Sequence, residues 1–278
     1  MKRALAIAVV SAPLVLAACG NDAVPDGSPD AAAHGAADAP AGTQVTDVSG
    51  DITADTTWTG TVRVHVPISI AAGVTLTVAA GTTVQVAASA SLTDSGTIDV
   101  MGTKAAPVTW VGLATDDWLG LSVPTGGAFT MTYGEWTGGN IVVSGGSFSA
   151  TDSRLSQVTG DLLTASAGTI TVLYSWLGLA TGMADTTHCD MHFEGASNPT
   201  ISVTHTNVST SVYGVMFLTG TNEDFTSDNW FSNTNQVELT SAVTGDFSNG
   251  WFDQDPVSGT GITANNLSPT MITDAGPR

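Results

Sequence analysis

The segment Phe129-Thr130-Met131-Thr132-Tyr133-Gly134-Glu135-Trp136 decides the fold, because its outline returns down the chain. A large apolar residue followed by Thr or Ser comes again at Phe148-Ser149, Ile170-Thr171, Ile201-Ser202, Phe225-Thr226 and Phe247-Ser248, in steps of 19, 22, 31, 24 and 22 residues. Five to seven residues after each pair stands another large apolar residue: Trp136, Leu155, Leu177, Val208, Phe231 and Phe252. A second short strand signal lies between the units, at Ile141-Val142-Val143, Leu162-Leu163, Met191-His192-Phe193, Val215-Met216-Phe217 and Val237-Glu238-Leu239. A unit of roughly 22 residues cannot bury its apolar face alone, and stacking on its neighbours makes a continuous core. An up-and-down barrel would show longer strands joined by hairpin turns. A sandwich would show strands every ~8–12 residues without this paired super-period. The repeat therefore predicts an all-β parallel β-helix, a solenoid of about ten coils lying ~4.8 Å apart between residues 50 and 262.

Upstream, the pattern is finer but of the same kind. Val62, Val64, Val66 and Ile68 alternate with polar residues, and Val74–Val78, Val84–Val86, Ile98–Val100 and Val108–Trp110 follow as short strands broken by Gly, Asp or Ser. Gly73-Val74-Thr75-Leu76-Thr77-Val78-Ala79-Ala80-Gly81-Thr82-Thr83-Val84 resembles the opening of bacterial right-handed parallel β-helix surface proteins. It departs from them at Ala80, where they usually carry Pro. Gly102–Thr109 is similar to their next element, and Asp117-Trp118-Leu119-Gly120-Leu121 to a further coil. The resemblance implies a right-handed, pectate-lyase-like architecture; its motifs specify coil geometry and carry no chemistry.

Composition narrows the function. The chain of 278 residues has 6 Lys plus Arg against 25 Asp plus Glu, a formal charge of −19, with only 11% charged residues and a mean hydropathy of +0.20. A nucleic-acid partner is excluded, because phosphate binding needs a basic face. A helical bundle needs more Glu, Lys, Arg and Leu, and an acidic disordered chain would not be 42% hydrophobic.

At the N-terminus, Met1-Lys2-Arg3 precedes the apolar stretch Ala4–Ala18, which is too short to cross a bilayer comfortably and reads as a signal-peptide core. It ends in Leu16-Ala17-Ala18-Cys19-Gly20, which resembles the lipobox of bacterial lipoproteins. That resemblance implies removal of residues 1–18, a diacylglycerol on Cys19 and stable membrane attachment by two or more acyl chains. Gly20 in place of Asp implies export to the outer membrane or cell surface. The mature charge is then 4 − 25 = −21, which repels anionic lipid and anionic glycan and favours cations, neutral glycans or basic surface proteins. With Cys19 acylated, Cys189 has no partner for an internal disulfide. Residues 19–48, rich in Ala, Asp, Gly and Pro, read as a flexible tether, residues 49–262 as the β-helix and 263–278 as a C-terminal tail.

The richest chemical cluster is His188-Cys189-Asp190-Met191-His192-Phe193-Glu194. Strand alternation puts Cys189, Met191 and Phe193 in the core and His188, Asp190, His192 and Glu194 on one exposed face. Imidazoles and carboxylates suit zinc, with calcium as the other cation to weigh. An ordinary solvated strand face accounts for the same residues, since neighbours along it are ~6.6–7 Å apart. His205 would join only through a tight turn. A lyase would need a base such as Arg154, and a glycosidase paired carboxylates, for which Asp116, Asp117, Glu223, Asp224 and Asp228 are the candidates. Trp110, Trp118, Trp136, Trp176, Trp230 and Trp251 recur roughly with the coils and either fill the core or stack on sugars. No catalytic residue and no cofactor is assigned. The expected function is a non-enzymatic, surface-anchored β-helix with a structural, adhesive or glycan-binding role; the alternative is a carbohydrate-active enzyme of the same fold, a polysaccharide lyase or glycoside hydrolase.

Overall fold

The computed structural model describes residues 45–278 apart from 115, 116, 184, 196, 241 and 242. The signal segment, Cys19 and all but the last four residues of the expected tether lie outside the described residues, as does Asp116.

The described chain is a parallel β-solenoid of about nine turns, without a helix. Each turn lays down strands on up to three faces. The first face is a ten-stranded sheet that begins Val45–Val48, Thr61–Val64, Thr83–Val86, Val108–Gly112 and Gly134–Thr137 and ends at Trp251–Phe252. The second stacks Thr75–Ala79, Thr97–Met101 and Ala128–Thr132 on the later half of Gly139–Thr151, then on Gly160–Leu173 and Thr200–Thr204. The third carries the second strand signal of the sequence: Ile141 pairs Leu163, Leu163 pairs Met191, Met191 pairs Val215 and Val215 pairs Val237. Val45–Val48 already belongs to this architecture, pairing in parallel with Thr61–Val64. Val66, expected in a strand, is 39% exposed beyond the end of one.

Registered columns of apolar side chains make the core. One runs Val62, Val84, Trp110, Trp136, Leu155, Leu177, Val208, Trp230 and Phe252. Trp230 takes the position expected for Phe231, which pairs with Ser209 one step along. A second column runs Leu76, Ile98, Phe129, Phe148, Ile170 and Ile201. Phe225 does not continue it. Ser202 pairs Asp224, which sets Glu223 against Ile201 and moves Phe225 two places on. Phe225 instead stacks on Phe247, ring centroids 4.7 Å apart. Gly139 is required in this core, because a Cβ there would run into the indole of Trp118.

The corner between the second and first faces explains many of the polar residues. Tyr133, Asp152, Tyr174, His205, Ser227 and Asn249 hold it in successive coils, all with positive φ. The left-handed turn leaves the next backbone N–H facing inward, and such a group must be paired. A side chain of the following coil accepts it: Ser153 Oγ accepts from the Gly134 N–H at 2.9 Å, Ser175 Oγ from the Ser153 N–H at 3.1 Å, Thr206 Oγ1 from the Ser175 N–H at 3.4 Å and Asp228 Oδ1 from the Thr206 N–H at 2.7 Å. The chain after the last strand, Ile262–Thr263, returns along the solenoid. Asn229 both donates to and accepts from the backbone of Ile272, and Gly276 N–H reaches His205 O. Arg278 forks onto Asp152 at 3.0 Å and covers the Tyr174 ring at 3.7 Å.

Candidate functional site

The third face gathers the ionisable cluster around Asp161. Gly160–Leu173 and Thr187–Phe193 lie side by side, but their register slips: Gly160 pairs Thr187, and Asp161 pairs Cys189. His188 is therefore the extra residue of a bulge. A bulge breaks the rule that neighbours on a strand face opposite sides, and it lets His188 and Cys189 approach one carboxylate together. His188 Nδ1 lies 3.1 Å from Asp161 Oδ1, and His192 Nδ1 lies 2.7 Å from Asp161 Oδ2. Cys189 Sγ is 3.2 Å from His188 Nδ1 and also hydrogen-bonds Asp161. His192 Nε2 stands 3.5 Å from Glu194 Oε2. Burial alone would raise the Asp161 pKa, but the bonds from His192, Cys189 and His188 hold it below the ordinary carboxylate value. Burial drives the Cys189 thiol far upward, and the bond to Asp161 and the charges of Asp161 and Asp190 push the same way.

The expected ligand face loses Asp190, which is fully buried and accepts a hydrogen bond from Ser211 Oγ at 2.9 Å. Its pKa is raised well above the ordinary value, by burial first. His188 and Glu194 are exposed and His192 is half-buried. His205 joins another cluster, its ring 4.9 Å from Tyr174. Asp161 is the centre that strand alternation could not find, because it lies 27 residues before His188 and meets it only through the register.

The described acids weighed for hydrolysis make hydrogen bonds within and between coils. Glu223 is buried and accepts the Ile201 N–H at 2.5 Å and the Thr221 N–H at 3.1 Å, while fully buried Asp228 ends the corner ladder. Asp117 accepts from Thr159 Oγ1 at 2.7 Å. Arg154 is exposed over the Trp176 ring. Trp110, Trp118, Trp136 and Trp230 are core residues, whereas Trp176 and Trp251 are partly exposed.

One outward surface is regular. On the second face Thr130, Ser149, Thr171 and Ser202 stand in register on four successive strands. Ala128, Ser147, Thr169 and Thr200 flank them on one side and Thr132, Thr151, Leu173 and Thr204 on the other, all at least partly exposed. Asp99 precedes the central column, and Asp224 and Asp246 follow it. The sheet spacing sets these hydroxyls ~4.8 Å apart across strands and ~6.6–7 Å apart along them. Such an array donates and accepts hydrogen bonds without presenting charge.

No family model, curated protein or solved structure matches this chain.

Proposed function

We propose that the chain is a lipoprotein, anchored through Cys19 at the outer membrane or cell surface, whose right-handed, pectate-lyase-like β-helix binds neutral glycan and catalyses no reaction. The observation that carries this reading is the registered hydroxyl array on the second face. Sugar hydroxyls are matched by protein hydroxyls that both donate and accept, and the acidic residues at either end of the array disfavour an anionic chain. The commitment of Glu223 and Asp228 to backbone N–H groups supports a binding role over hydrolysis. In retention assays on immobilised polysaccharides, neutral chains should hold the protein and anionic ones should not; equal retention on both, or on neither, contradicts the reading. The anchor has its own test. Cys19→Ser should move the protein out of the membrane fraction, and a Ser variant that stays with membrane after high-salt washing removes the lipid from the account.

A further inference from the structure

We propose that Asp161, His188 and Cys189 form a zinc site on the third face of the solenoid, with His192 holding the Asp161 carboxylate in place. The donor atoms of these three residues all lie within 4.8 Å of one another. Zinc bonds of ~2.0–2.3 Å in tetrahedral geometry bring ligand atoms roughly 3.3–3.8 Å apart. The separations of 3.1 Å from His188 Nδ1 to Asp161 Oδ1 and 3.2 Å from Cys189 Sγ to His188 Nδ1 fall a few tenths short of that. Small outward movements would seat an ion between the three donors.

The donor set is specific. Thiolate, imidazole and carboxylate together suit zinc better than calcium, which takes oxygen ligands alone. Charge also balances: Zn²⁺ against one carboxylate and one thiolate leaves the site neutral in an acidic protein. Binding releases the Cys189 thiol proton to solvent as the zinc–sulfur bond forms. His188 binds through Nδ1 as the neutral ring, its single proton on Nε2. The exposed side of His188 leaves the fourth position to water.

A Cys–His–Asp nucleophile relay is the other arrangement these residues suggest, and the geometry opposes it. A relay uses the two ring nitrogens for two partners, whereas here Asp161 and Cys189 both meet Nδ1 of His188. The second feature pointing to a ligand is His192. Its Nδ1 takes the other oxygen of Asp161, while its Nε2 stands 3.5 Å from Glu194 Oε2. Histidine and carboxylate partners of this kind orient metal ligands.

The proposal is independent of glycan binding. The test is equilibrium dialysis of the unlipidated full chain (Cys19→Ser) against zinc alone, followed by cobalt as a spectroscopic stand-in. One zinc per chain is expected, with a thiolate-to-cobalt charge-transfer band in the near ultraviolet. Because His188 is exposed, His188→Ala should keep the fold by circular dichroism and weaken zinc binding at least tenfold. Glu238→Gln, exposed two strands from His192 on the same face, should bind zinc like the parent. Cys189→Ser should abolish the cobalt thiolate band; if that buried substitution prevents folding, the band in the parent and its loss in His188→Ala decide. Equal zinc binding by the parent and His188→Ala, or cobalt binding without a thiolate band, would overturn the site and leave only a diffuse acidic surface.

Discussion

The two halves of the solenoid turn the corner between the second and first faces by different means. In the early coils Gly60 and Gly81 take positive φ there, whereas every described non-glycine residue with positive φ lies at Tyr133 or later. Burial follows the same division. Before residue 150 the buried polar side chains among the described residues are Thr82 and Asp94, whereas Ser153, Ser175, Thr206, Asn207, Asp228, Asn229 and Asn233 are buried beyond it. Glycine enters the left-handed region without a Cβ penalty but loses more chain entropy on folding. A residue with a side chain costs roughly 1–2 kcal/mol there, and the ladder of Ser, Thr and Asp side chains offsets this by pairing the N–H that the turn leaves inside. The early coils are thus held chiefly by apolar columns and the later ones by apolar columns plus polar links that fix register. Both the Asp161 cluster and most of the hydroxyl array lie on coils of the second kind, where register decides which side chains meet.

The largest expected effect falls in the early half. Trp110 is fully buried, with ring centroids of Trp58, Trp136 and Phe129 5.2–6.4 Å away. Trp110→Ala should cost about 3–5 kcal/mol in equilibrium unfolding; a cost below 1 kcal/mol would mean that the apolar column is not what holds these coils.

A pH effect of nearly that size comes from Asp94, the buried acid of the early half. Burial lifts its pKa to about 6, while N–H groups of Gly96, Ile98 and Ala128 pull it down. The folded chain then keeps a proton that the unfolded chain, with a pKa of 3.8, releases earlier. Stability from this group is greatest below about pH 4 and falls as pH rises to about 6, by about 3 kcal/mol in all. Asp94→Asn should remove that slope, so that the difference between the two proteins grows from pH 4 to pH 6 and is constant above. Parallel stability profiles would contradict the assignment.

Ser175→Ala probes the later half. It strands the buried Ser153 N–H and should cost about 1–3 kcal/mol. Gly81→Ala probes the earlier solution: φ is +75° and the nearest atom to the new Cβ is 3.7 Å away, so the cost is backbone strain of about 1–2 kcal/mol without a clash. If Ser175→Ala proves neutral, the ladder contributes nothing and the contrast between the halves fails.

The sequence made the solenoid legible because its columns are spelled by large apolar residues at a near-constant step: Phe129, Phe148, Ile170 and Ile201 stack as read. Reading lost the column at Phe225, where the buried Glu223 takes the expected apolar place and shifts the register. The site was half legible. His188 and His192 stand out in the sequence, but strand alternation assumes a regular strand, and the bulge at His188 brings Cys189 beside the imidazole, while the burial of Asp190 under Ser211 follows from stacking with the next coil. Asp161 could not be found from spacing, since only the pairing of two strands brings it there. The inward Ser and Thr residues of the corner ladder look like ordinary turn residues until coils are stacked.

The most direct test of the central claim is calorimetric titration of the unlipidated chain with a neutral polysaccharide retained in the affinity assay, alongside a Thr130→Arg/Thr171→Arg variant of matched thermal stability. These two residues stand on alternate strands of the central column. Bulky cations there would break the hydroxyl array without touching the core, and affinity is expected to fall at least tenfold. Unchanged affinity in the variant would contradict glycan recognition by the second face.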